Sequence, residues 1–296
     1  MTDVPVGYPK LLRQSLLSTA DTCLHRLKWY LDPATPYYAG VSRMMGTGYH
    51  AGLEFWYGAL KNGEIVKVEQ VLYAARQAMV KEISDAGKNF DWTYQVKTAR
   101  QAERILTKDE AFTMVFDLLR TYVQEGYTWP VERYVILDIE LEFLLPYPGF
   151  DEWRRKGAID LVLWDRETKW IHIVDHKTAK KKWPKNKSQA HYTPQAAYYT
   201  KAFEDLLAMG RYSDLEVAGI TFTYDVFSFN DSHFARIDAY RTPAQVAATM
   251  KRADMLVQLI ENGGPLIPSP DSFLCQEAYC DYWDECEHGK TLHEVH

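Results

Sequence analysis

The chain sets an aspartate, Asp160, in the middle of an otherwise apolar run, Ala158-Ile159-Asp160-Leu161-Val162-Leu163. A carboxylate buried there without a partner would be costly, so something must compensate it. A second aspartate, Asp175, closes the next apolar run, Ile171 to Val174, and Lys177 follows two residues later, on the same side if the strand continues. Adjacent antiparallel strands would bring Asp160 and Asp175 together beside that lysine, and a divalent cation would relieve the repulsion between the two carboxylates. The same residues also suit a buried Asp–Lys ion pair next to a capping aspartate, and composition does not choose between the two. Directly downstream, HKTAKKKWPKNK (residues 176 to 187) gathers Lys177, Lys180, Lys181, Lys182, Lys185 and Lys187 around Trp183. Taken alone, such a run is more often a solvated loop. Its place just after the lysine-bearing strand makes it a candidate phosphate track, with Trp183 available to stack on an unpaired base.

The four cysteines form a second set. Cys275, Cys280 and Cys286 cluster in the tail, and Cys23 lies far upstream in the first helical stretch. The paired Cys-x-x-Cys knuckles typical of zinc are missing. Four thiolates suit a [4Fe–4S] cluster or zinc, and the plain alternative is that Cys23 is a core residue and the tail cysteines are incidental. The chain is too long and too poor in cysteine for a disulfide scaffold.

Periodicity indicates the elements that must position these groups. Leu16, Leu17, Ala20, Cys23, Leu24, Leu27 and Tyr30 recur at helical spacing from Gln14 to Leu31, until Pro33 stops the pattern. A second helix is expected after Gly46 and Gly48, from about His50 to Leu60, with His50 in its first turn; residues 66 to 86 and 97 to 125 also read as helical. Alternation of Ile139, Leu141 and Phe143 with Asp138, Glu140 and Glu142 then predicts a long strand over 132 to 147. Strands at 156 to 164 and 169 to 175, joined by Asp165-Arg166-Glu167-Thr168, read as a hairpin. A helix over 193 to 209, strands near 217 to 226 and 233 to 240, and a helix from Thr242 or Pro243 to Glu261 complete the pattern before an irregular tail. The order predicts one α/β domain over 1–296: a mainly helical part (1–130), a mixed sheet core (131–241), and a last helix with a cysteine-bearing tail (242–296) that could return to the first helix.

Gly157-x-x-Asp160 followed by Asp175-x-Lys177 resembles the core motif of the PD-(D/E)XK nuclease superfamily, with Ile159 where a proline usually stands, as in its RecB-like branch. Gly46-Thr47-Gly48-Tyr49-His50 resembles that branch's upstream histidine motif, and Gln195-Ala196-Ala197-Tyr198-Tyr199 its Gln-x-x-x-Tyr motif; the resemblance spans roughly residues 15 to 290. One remote cysteine with three clustered ones is similar to the iron–sulfur nucleases of CRISPR adaptation and the AddB nuclease domain, although the first gap within the tail is wider here. The resemblance implies a restriction-endonuclease-like mixed sheet flanked by helices. It implies that His50, Asp160, Asp175 and the backbone carbonyl of His176 hold Mg²⁺ or Mn²⁺, that Lys177 orients and helps deprotonate the attacking water, and that Gln195 and Tyr199 act on the strand or the site. It also implies that Cys23, Cys275, Cys280 and Cys286 hold a [4Fe–4S] cluster, with zinc the alternative.

The expected activity is DNA phosphodiester hydrolysis, exonucleolytic, in recombination, repair or phage- or CRISPR-type DNA processing. Its substrate would be single-stranded DNA or DNA with single-stranded ends, and its partner a recombination protein or helicase. A non-catalytic DNA-binding or scaffold protein of the same fold is the rival, and it predicts a lost ligand that this sequence does not show. At 296 residues and 47% hydrophobic content the chain can bury a substantial core. The net charge of −6 argues against coating nucleic acid by bulk charge, though not against a local basic groove. Gly289-Lys290-Thr291 ends like a Walker A loop, but Asp284 stands where its first glycine belongs, so no ATP hydrolysis is expected. Neither a signal peptide nor a membrane span is apparent, and a cytoplasmic location is expected.

Overall fold

A short strand, β1 (Leu11–Leu12), leads into helices α1 (Gln14–Thr22) and α2 (Leu27–Leu31), then the longer α3 (Val41–Lys61) and α4 (Val68–Ala86). Strands β2 (Thr93–Val96) and β3 (Ala102–Ile105) precede helix α5 (Lys108–Gln124). The sheet then forms from β4 (Tyr134–Pro146), β5 (Arg154–Asp165) and β6 (Trp170–Ala179), followed by α6 (Gln195–Ala208), β7 (Gly219–Ser228), β8 (His233–Asp238) and α7 (Pro243–Glu261). This computed structural model describes residues 4, 5, 7–35, 40–96, 102–183, 189–191, 193–272, 274–276 and 280–288. Lys185 and Lys187 of the lysine run, and the tail from Gly289-Lys290-Thr291 onward, lie outside them.

The sheet is mixed, as the alternation of strands and helices requires. β4 lines one edge of β5 along its length, antiparallel, while the opposite edge is shared: β1 pairs with Arg154 and Arg155, and β6 pairs with Leu161 to Trp164. β6 and β7 are parallel, with α6 as the crossover, and β8 closes the sheet antiparallel to β7. One face buries its side chains against α1, α2, α6 and α7. The other face packs against α3, α4 and α5, giving a restriction-endonuclease-like α/β architecture.

Three expectations are corrected. The first helix does not run to Leu31: α1 ends at Thr22, whose hydroxyl returns to the Ser18 carbonyl (2.9 Å), and Cys23 takes an extended conformation before α2. That back-bond gives the chain an alternative to a continued helix. Second, α3 begins at Val41, so His50 lies mid-helix and Gly46 and Gly48 are inside it. A Cβ on Gly48 would come within 2.4 Å of Met79 Cγ on α4, and one on Gly52 within 2.6 Å of Leu119 on α5. Gly48 and Gly52 thus permit close helix packing, and Gly48 lies inside the helix instead of ahead of it. Third, 97 to 125 is not one helix. β2 and β3 pair antiparallel, and α5 starts only after Thr107, which caps it in a reciprocal box with Glu110; residues 97–101 lie outside those described.

Candidate functional site

The partial pairing of β5 and β6 creates the site. Their ladder stops at Leu161 opposite Val174, although β6 continues to Ala179 and β5 begins at Arg154. Past that point Asp160 Oδ2 accepts the His176 backbone N–H at 2.7 Å, so a side chain supplies the acceptor that a ladder carbonyl would have provided. From above, α3 brings His50, whose Nδ1 lies 3.4 Å from the same Asp160 oxygen.

Asp175 continues β6 and is only 3% exposed. Its Oδ1 accepts from Gln195 Nε2 at 2.6 Å, and Lys177 Nζ stands 2.7 Å from Oδ2. Gln195 is held in turn by the Tyr224 hydroxyl (3.4 Å). Burial raises the Asp175 carboxyl to about 6 against the opposing pull of Lys177, and the Asp160 charge adds to the rise. Burial alone would lower the Lys177 ammonium, but Asp175 and Asp160 outweigh it and the net shift is upward.

A residue that the motifs did not single out completes the group. Glu140 on β4 offers an oxygen that lies, with ligand atoms of His50 and Asp160, within a mutual 4.8 Å. Its carboxyl is pushed up to about 7 by burial, with repulsion from Asp160, Glu54 and Asp175 adding to it. Glu140 also has φ +47, a left-handed conformation that costs a non-glycine residue energy and gathers at functional sites. In the sequence it is one acid among three alternating along a strand, and nothing there marks its backbone.

The donor set fits a divalent cation. An imidazole and two carboxylates converge, and the carboxyls of Glu140 and Asp175 are raised by burial and, beyond it, by repulsion from neighbouring carboxylates that a cation would relieve. The group within 4.8 Å is His50, Glu140 and Asp160; Asp175 stands just outside it, engaged by Lys177 and Gln195. The ring of His176 turns to the α3 side, stacked on Tyr57 (5.9 Å, 15°) and edge-on to Tyr122, and burial lowers its pKa to about 4, leaving it neutral. Beneath that wall, buried Asp225 accepts from Arg236 (2.7 and 2.8 Å), Tyr122 (3.1 Å) and Trp129 (3.0 Å).

Gln195 and Tyr199, expected to act on the strand or the site, are both buried, and Gln195 reaches Asp175. Tyr199 packs edge-on to Phe143 over Gly157, where a Cβ would come within 2.9 Å of its ring and 2.6 Å of Phe143. Lys181 and Lys182 are exposed, Lys180 Nζ lies over the Tyr94 ring (5.4 Å), and half-buried Trp183 packs against Tyr224 (5.8 Å).

At the far end the tail does return to the first helices. Cys23, Cys275, Cys280 and Cys286 line one cavity with His25, Trp29, Trp283 and His288, and none forms a disulfide. The Cys275 thiol is pushed up by burial and then by Cys23, Cys280 and Cys286. Trp29 stacks on Tyr282 (5.1 Å, 8°), and Arg26 pairs with Asp281 at 2.9 Å. Four uncrosslinked thiols facing one space fit a metal centre that would accept them as thiolates.

The family model of the PD-(D/E)XK nuclease superfamily matches residues 14–287. Among solved structures, a candidate exonuclease from Eubacterium rectale is similar at 13% identity and TM-score 0.39, over 86% of this chain and 87% of that one. The protein SSO0001 is similar at 13% identity and TM-score 0.35, over 93% and 95%. No curated protein matches the sequence.

Proposed function

The chain belongs to the PD-(D/E)XK nuclease superfamily, and from that premise we propose that it is a divalent-metal-dependent deoxyribonuclease of the RecB-like branch, an exonuclease acting on single-stranded DNA or single-stranded ends. The observation that carries the reading is the convergence of His50, Glu140 and Asp160 beside the Asp175–Lys177 pair where β5 and β6 part. His50, Glu140 and Asp160 would hold Mg²⁺ or Mn²⁺, with Asp175 and the His176 carbonyl completing the shell. The bound cation lowers the pKa of water and neutralises charge building on the scissile phosphate. Lys177, kept protonated by its two aspartates, orients the attacking water and donates to the phosphate oxygens as they gain charge. Gln195 fixes the direction of Asp175. Lys180, Lys181 and Lys182 lead the phosphodiester backbone toward the site, and Trp183 offers an aromatic face next to it. The work suits DNA recombination, repair or phage- or CRISPR-type processing beside a helicase or recombination partner.

The cysteine cavity has its own reading within the same proposal: one [4Fe–4S] cluster on Cys23, Cys275, Cys280 and Cys286, with zinc the alternative. A cluster there would be structural, since it joins the two ends of the chain and lies apart from the carboxylates. The test of function is digestion of end-labelled linear and of circular single-stranded DNA with Mg²⁺, Mn²⁺ or EDTA. Release of short products from linear DNA alone, abolished by EDTA, is expected; cleavage of the circle would replace the exonuclease with an endonuclease.

A further inference from the structure

His25, in the short turn that joins α1 to α2, is 6% exposed. Its Nδ1 lies 2.8 Å from the carbonyl oxygen of Leu266. A carbonyl can only accept, so Nδ1 carries a proton, and in the neutral ring Nε2 bears the lone pair. Nε2 is buried and has no hydrogen-bond partner. A backbone carbonyl on one imidazole nitrogen, with the other left bare, is the arrangement that readies a histidine for a metal ion. The bare nitrogen has company: ligand atoms of His25, Glu287 and His288 lie within 4.8 Å of one another. The His288 ring stands edge-on to that of His25 at 5.2 Å, and its Nε2 lies 3.5 Å from Glu287 Oε1.

We propose that His25, Glu287 and His288 form a second metal site, for zinc or another borderline divalent transition ion, on side chains other than the cysteines with which His25 and His288 share a cavity, and away from the carboxylate centre. Two imidazole nitrogens and one carboxylate oxygen suit such an ion, whereas the neighbouring cysteine sulfurs favour iron–sulfur chemistry. The side chains of Glu287 and His288 are 72% and 43% exposed, so solvent reaches the outer side, where water takes the remaining position. The ion would tie the α1–α2 turn to the tail on a different set of side chains from the cysteines.

The test is Co²⁺ titration of anaerobically purified full-length protein, followed by visible and near-ultraviolet absorbance. Each protein carries Asp160→Asn to weaken the carboxylate centre, with iron and sulfide measured alongside. Weak visible d–d bands without intense thiolate charge-transfer bands are expected, with Zn²⁺ competing. His288→Ala, at a half-buried position, and Glu287→Gln, at an exposed one, should each weaken Co²⁺ binding by at least about tenfold while iron and sulfide stay unchanged. Unchanged affinity in both variants, thiolate bands accompanying the binding, or no visible bands at all would overturn the site. Loss of iron and sulfide from every protein would count against the cluster reading instead.

Discussion

At the scale of single residues, the proposed site would divide into groups that hold a cation and groups that aim the others. Lys177 neither lies in the converging trio nor lacks a partner: its ammonium stands 2.7 Å from Asp175 and is the cationic member of the cluster. Lys177→Ala should therefore lower cleavage by ~10²–10⁴-fold, the usual contribution of a positioned proton-handling group, while Mn²⁺ binding by calorimetry persists. Asp160→Ala should lose both. Gln195→Ala removes one donor from Asp175 without touching substrate, so a smaller loss of about 10–100-fold is expected, and Gln195→Glu should not restore it. Equal losses in the lysine and glutamine variants would refute this division. The aspartates and the lysine were legible because a charged residue inside an apolar strand demands an explanation. Glu140 was not, since its neighbours Asp138 and Glu142 repeat the same polar beat and its positive φ leaves no trace in residue type.

At the scale of elements, the hairpin was readable because Asp165-Arg166-Glu167-Thr168 interrupts two apolar runs. Where the ladder ends was not, because register depends on strand splay and on β1 taking the other end of the same β5 edge. The glycines of α3 show the same limit: a glycine that precedes a helix, as Gly46 and Gly48 are expected to, and one that lets two helices touch are the same letter, and for Gly48 only the approach of Met79 distinguishes them. Asp165 closes the hairpin. It is fully buried, paired with Arg133 at 2.6 Å, and accepts the Glu167 N–H at 2.8 Å. Burial alone would raise its carboxyl, but Arg133 and the turn donors outweigh it and hold the pKa well below the ordinary 3.8. A carboxyl lowered by folding stabilises above its unfolded pKa and loses that contribution as pH falls through the folded one. Stability should therefore drop on acidification from about pH 4 downward, and less steeply in Asp165→Asn; identical slopes in acid melts would remove Asp165 from the account. Arg236→Ala strands the buried Asp225 carboxylate under the His176 wall and should cost about 3–5 kcal/mol in urea unfolding. A loss below about 1 kcal/mol would mean that the pair is no more than a surface-like bridge.

At the scale of the whole molecule, the described helices sandwich a sheet whose parted strands hold the candidate site, while the first helices and the cysteine-bearing tail meet around a separate cavity. The meeting of Cys23 with the tail could be anticipated from the resemblance that the cysteine order carries; the extended backbone at Cys23, the Trp29–Tyr282 stack and the His25 nitrogen could not. Cys23→Ala should lower thermal stability and yield, because a cross-link between distant segments constrains nearly the entire unfolded chain. Any fully folded fraction should retain the specific activity of the parent; activity lost without any change in melting would place the cysteines in the chemistry. Under the proposed function, this folded chain hydrolyses DNA through its carboxylate centre with a divalent cation. The most direct test is single-turnover cleavage of end-labelled single-stranded DNA by the intact protein at saturating Mn²⁺, beside Asp160→Ala of matched melting temperature and the parent in EDTA. Cleavage by the parent with Mn²⁺ alone is the predicted result; cleavage undiminished in Asp160→Ala or in EDTA would contradict it.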